Sequence, residues 1–110
     1  MESAADLRIV LTTWPVDRPV DEVAATLVRE GLAACVHVHA PITSHYRWQG
    51  TLERSEERPL VIKTTAARLP ALEARLGSLH PYELPELVVL DATASATYGA
   101  WVREAVGGGD

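Results

Sequence analysis

A single cysteine, Cys35, and a single lysine, Lys63, stand in a chain of 110 residues. One thiol excludes an internal disulfide framework and suits a reducing compartment. The other basic residues are scattered arginines that form no stripe, and the net charge of −5 argues against a nucleic acid or an anionic membrane as partner. No apolar run approaches the length of a membrane span. The opening Met1-Glu2-Ser3-Ala4-Ala5-Asp6 has neither a basic segment nor a long apolar one, so the expected compartment is the cytoplasm. A phosphate-cradling glycine loop, a Cys-x-x-Cys pair and a nucleophile elbow are all missing, so neither catalysis nor an organic cofactor is expected. Thr12-Thr13 and Thr64-Thr65 read as strand-end residues rather than nucleophiles. Glu56-Glu57 falls in the most polar stretch, Glu53 to Arg58, where carboxylates are expected to stay solvated.

What is present reads as one α+β domain over residues 1–110, with 1–6 and 107–110 expected to fray. Leu7 to Trp14 predicts a strand, stopped by Pro15. Pro19 suits an early helical position, and Val20, Val23, Ala24 and Leu27 recur at helical spacing up to the stop at Gly31. From Ala33 the period becomes two, with Ala34, Val36, Val38 and Ala40 on one face and Ala33, Cys35, His37 and His39 on the other. Pro41 must interrupt that strand or sit at an unpaired edge. Thr43 to Gln49, a turn at Gly50 and the return to Leu60-Val61-Ile62 form a long hairpin whose tip projects. Leu69, Leu72, Leu76 and Leu79 mark a second helix with Pro70 near its start and His80-Pro81 ending it. Leu87 to Leu90 is the fourth strand, and Tyr98, Trp101, Val102 and Ala105 fit a terminal helix. The order βαββαβ plus a helix predicts a ferredoxin-like sheet with helices on one face. The opposite face then needs a cover, which predicts a symmetric homo-oligomer.

Three groups of residues carry chemistry. Cys35, His37 and His39 share one strand face, and a thiolate with imidazoles favours copper or zinc over magnesium or calcium. The plainer alternative is a small thiol and two histidines packed at a subunit interface. In His80-Pro81-Tyr82-Glu83-Leu84-Pro85-Glu86, two prolines hold an imidazole, a phenol and carboxylates in fixed relation. That suits ligand binding or docking of a neighbour, and equally a helix terminator anchored by Tyr82. Tyr46 and Trp48 share a face near the hairpin tip and point to an interface, unless they fold back over the domain's own sheet.

Together, His80-Pro81-Tyr82-Glu83-Leu84-Pro85-Glu86, Gly31-Leu32-Ala33-Ala34-Cys35-Val36, Tyr46-Arg47-Trp48-Gln49-Gly50, Ile62-Lys63-Thr64-Thr65 and Tyr98-Gly99-Ala100-Trp101 resemble the CutA family of divalent-cation-tolerance proteins over Leu7 to about Val106. The resemblance implies a ferredoxin-like protomer in a packed homotrimer, similar in architecture to PII-type signalling proteins. It also implies copper tolerance or divalent-metal binding, with Cys35 and His80 as the matching metal residues. His37 and His39 depart from the family, which more usually carries asparagine and an apolar residue there. The expected function is a trimeric metal-binding protein without catalysis. The alternative is a PII-like module that binds a small anionic metabolite between subunits, with Arg47, Lys63 and Tyr82 as contacts.

Overall fold

The computed structural model describes residues 3–107, with side chains from residue 6 onward. In chain order the elements are β1 (Ser3–Pro15), α1 (Asp21–Arg29), β2 (Cys35–Val38), β3 (Ile42–Trp48), β4 (Thr51–Thr65), α2 (Leu69–Leu79), β5 (Val88–Ser95) and α3 (Ala96–Ala105). The sheet runs β2-β4-β1-β5, with β3 also paired to β4, and every pairing is antiparallel. β2 and β3 are therefore two pieces of one strand laid along β4, broken after His39, whose N–H still reaches the Pro59 carbonyl: Pro41 has no N–H to give, and the register against β4 shifts by one residue between Val38–Leu60 and Ile42–Glu57. This is the expected ferredoxin-like arrangement. Part of the segment expected to fray is paired, with Ser3 opposite Ser95 and Ala4 opposite Ala94. Met1, Glu2 and residues 108–110, also expected to fray, lie outside the described residues.

The hairpin between β3 and β4 closes through Gln49 and Gly50, both at positive φ (51° and 81°). Two such residues make the type I′ turn whose twist matches that of the flanking strands. Because β4 has 15 residues, the arm it forms with β3 extends the molecule to 47 × 26 × 23 Å.

Strand register assigns the two sheet faces. Val36, Ile62, Val10 and Val89 form one cross-strand row, and Val38, Leu60 and Thr12 the next. Leu27 of α1 and Leu72 and Leu76 of α2 pack on this side with Val10, Trp14, Leu60 and Ile62. Helix α1 begins at Asp21, so Pro19 precedes the helix instead of entering it. Ala34 also departs from the expected alternation. The chain is not yet a strand there, so Ala33 joins the helix-side core, whereas Ala34 packs with Leu7, Val102 and Val106 on the other face.

That other face is only half covered. Helix α3 lies over the Thr65–Leu7–Ala92 end of the sheet. Next to it runs the row Cys35–Lys63–Ile9–Leu90, then His37–Val61–Leu11–Val88. Val88 and Leu90 are 44% and 47% exposed. Tyr98 and Trp101 of α3 stack beside this region with ring centroids 5.4 Å apart and remain exposed.

Candidate functional site

Helix α2 ends where His80 leaves the helical region, at φ −72° and ψ 135°, as the residue before a proline must. The turn carries the imidazole onto the Trp14 indole, with ring centroids 4.2 Å apart. The Tyr82 N–H donates to His80 Nδ1 at 3.1 Å. Nδ1 is therefore the acceptor nitrogen, and Nε2 carries the hydrogen that it donates to the Thr13 carbonyl at 2.6 Å. Burial pushes the His80 pKa down, opposed by the hydrogen bond to Thr13 and by the nearby Glu57 carboxylate. With both nitrogens engaged, His80 acts as a brace between β1 and the 81–86 loop.

The same loop turns the Tyr82 hydroxyl onto Glu57 Oε2 at 2.8 Å, and Thr13 Oγ1 donates to that oxygen at 3.1 Å. Burial, then the hydrogen bond and charge of Glu57, push the Tyr82 pKa well up, so the phenol keeps its proton. Glu57 is only 7% exposed, contrary to the solvated carboxylate expected there. The reason is visible in the strand period: Glu57, Pro59 and Val61 share a face, and β1 with the 81–86 loop closes over Glu57. Sequence reasoning missed Glu57 and Thr13; the period of β4 gives the face of Glu57, but its burial comes from Thr13 and Tyr82, which are distant in sequence.

Above this network opens a cleft of about 920 Å³ lined by Thr13, Ser44, His45, Tyr46, Trp48 and Glu57 on one side. Residues 81–86 supply the other wall, including Tyr82, Glu83 and Glu86. Tyr46 and Trp48 thus face the 81–86 loop, each 39% exposed, with Tyr46 OH 2.7 Å from Ser55 Oγ. Of the residues expected to contact an anionic metabolite, only Tyr82 lines this cleft. Lys63 instead donates to the Tyr98 hydroxyl at 3.3 Å, over that ring. Arg47 stands one residue out of phase with Tyr46 and Trp48, on the other face of the arm.

The residues expected to bind metal separate into two regions. Cys35 and His37 lie on the half-covered face, with the His37 and His39 rings 6.5 Å apart. His80 packs against Trp14 on the helix side. Among the described residues no three His, Cys, Asp or Glu side chains of one chain converge enough to hold a metal ion. No helix among the described residues is long and apolar enough to cross a membrane.

A four-stranded antiparallel sheet with an added strand piece, two helices on one face and a terminal helix on the other defines a ferredoxin-like α+β protein of the kind seen in CutA structures. A family model for the CutA1 divalent ion tolerance protein matches residues 8–105. The divalent-cation tolerance protein CutA of Thermus thermophilus is 42% identical over 100 residues, covering 90% of this chain and 97% of the relative. Its Escherichia coli counterpart is 40% identical over 96 residues, 86% of each chain. Among solved structures, CutA from Synechococcus elongatus superposes with a TM-score of 0.88 at 42% identity, covering 96% of this chain and 94% of that one. The chain belongs to the CutA family.

The tautomer of His80 has a consequence for stability. The unfolded chain takes up a proton on this imidazole near pH 6.5, whereas the folded chain holds it neutral to lower pH. The stabilisation is therefore complete above about pH 6.5 and is lost as pH falls from there through the depressed folded value. Melting curves between pH 7.5 and about 4.5 should show a downward slope that His80→Gln flattens; equal slopes in both proteins would contradict the assignment.

Proposed function

We propose that this CutA-family chain works as a homotrimer that binds copper or another divalent transition metal and has no catalytic activity of its own. The observation that carries the reading is the half-covered sheet face, where Ile9, Leu11, Val61, Val88 and Leu90 lie in two adjacent rows beside Cys35 and His37. An apolar patch of this kind is what a second copy of a chain covers. Around a three-fold axis each side chain recurs three times, so imidazoles from separate chains can meet although one chain's residues do not. His37 and His39 are the ligands of choice, with Cys35 as the soft alternative. His80, with both nitrogens hydrogen-bonded, would have to break one of those bonds to bind metal.

Zinc retained by metal-free, reduced protein after equilibration tests this. The expected content is one ion per three chains, abolished by His37→Asn or His39→Leu and kept in Cys35→Ser. Three ions per three chains with loss in Cys35→Ser would move the site onto the cysteine. Retention of neither zinc nor, in the same experiment, copper would contradict metal binding outright.

A further inference from the structure

The cleft beneath the hairpin arm is a second site, further along the same sheet face as Cys35 and His37 toward the arm and lined by neither, and its lining is of one chemical kind. Glu57, Glu83 and Glu86 bring carboxylates, Tyr46, Trp48 and Tyr82 bring aromatic rings, and neither lysine nor arginine is among the lining residues. The Tyr82 hydroxyl is committed to Glu57 and that of Tyr46 to Ser55, so both rings keep their faces rather than their hydroxyls for a ligand. Glu57 is more than nine-tenths buried and has no cationic partner among the described residues. Both side-chain hydrogen bonds to Glu57 fall on Oε2, and among the described residues no donor reaches Oε1. A buried carboxylate held by two hydroxyls and lining a cleft is a ready-made counter-charge.

The geometry points to this cleft as a binding site for a small organic ammonium cation. An anion would meet three carboxylates. A bare divalent ion needs ligands that converge, and the cleft's carboxylates and His45 form no cluster able to hold one. An ammonium ion bearing carbon substituents spreads its charge over a larger surface. It is attracted to ring faces as well as carboxylates, and a cleft of about 920 Å³ has room for it. Glu57 supplies the fixed charge at the floor, Trp48 and Tyr82 the walls, and Glu83 and Glu86 a negative rim that draws cations in. The site goes beyond metal binding and does not depend on it.

Calorimetric titration of the full chain with choline, triethylammonium and putrescine tests the site, with the uncharged isostere of choline, a tert-butyl group replacing the trimethylammonium head, as control. At least one ammonium probe should bind, and the isostere should not. Glu57→Gln and Trp48→Leu should each weaken binding about tenfold or more, the scale of one desolvated cation–π or charged contact. Because Glu57 is buried, the exposed pair Glu83→Gln and Glu86→Gln provides a second variant, expected to weaken binding less and to reduce its salt dependence. The proposal is overturned if no ammonium probe binds, or if the isostere binds equally. It is also overturned if magnesium or zinc competes at equal concentration, or if binding survives unchanged in Trp48→Leu and the double rim variant.

Discussion

Trp14→Ala is expected to destabilise the protein by about 3–5 kcal/mol, the range for removing a large aromatic from a packed core. The indole is 2% exposed and packs with Val10, Leu60 and Ile62, where the β1 and β4 strands meet α2. It also forms the surface on which His80 rests, so its loss should release the 81–86 loop as well as opening a cavity. Against a total stability of about 5–15 kcal/mol for an ordinary domain, this is most of the margin. Denaturant titration at one protein concentration measures it, with Leu52→Ala as reference. Leu52 is 72% exposed at the arm, and a change there should stay within about 0.5 kcal/mol. A Trp14→Ala loss no larger than that of Leu52→Ala would mean that the core is organised differently.

Leu90→Glu is expected to abolish self-association while leaving the chain folded. Leu90 sits opposite Ile9 on the half-covered face and is 47% exposed in the single chain, so a carboxylate there remains solvated in a monomer. Among the described residues in the two rows of this face, the only basic side chain besides His37 is Lys63, two strands away and already bonded to Tyr98, so an assembly that buries the face leaves the carboxylate without a ready partner. Leaving an unpaired charge in an interface costs several kcal/mol. The association should weaken by at least about a hundredfold, or ~2.7 kcal/mol. Circular dichroism should be unchanged while sedimentation shows single chains. An assembly of undiminished stability would place the interface elsewhere.

Much of the fold was legible because its signals are local and agree with one another. The period of two through Val36 and Val38, the leucine spacing from Leu69 to Leu79, the turn at Gly50 and the Pro81 stop each name an element, and the element order allows few topologies. The misreadings sit where tertiary contact overrides such signals. Ala34 takes the face opposite to that expected because α3 covers that end of the sheet, and Pro19 is left outside a helix that begins two residues later. The charged neighbours of Glu57 point to a solvated carboxylate, but its burial is decided by Thr13 and Tyr82, which are distant in sequence. The candidate site was legible only in outline. The rigidity of 80–86 could be read from its prolines, whereas the tautomer of His80 and the separation of Cys35 from His80 by the thickness of the sheet are properties of packing alone.

The central claim is that the uncovered face of this CutA-family sheet is closed by two further copies of the chain. Sedimentation equilibrium on the unmodified, reduced protein at micromolar concentration tests it most directly. The account predicts one species near three times the 11.9 kDa of a single chain; a single species at 11.9 kDa across that range would contradict it.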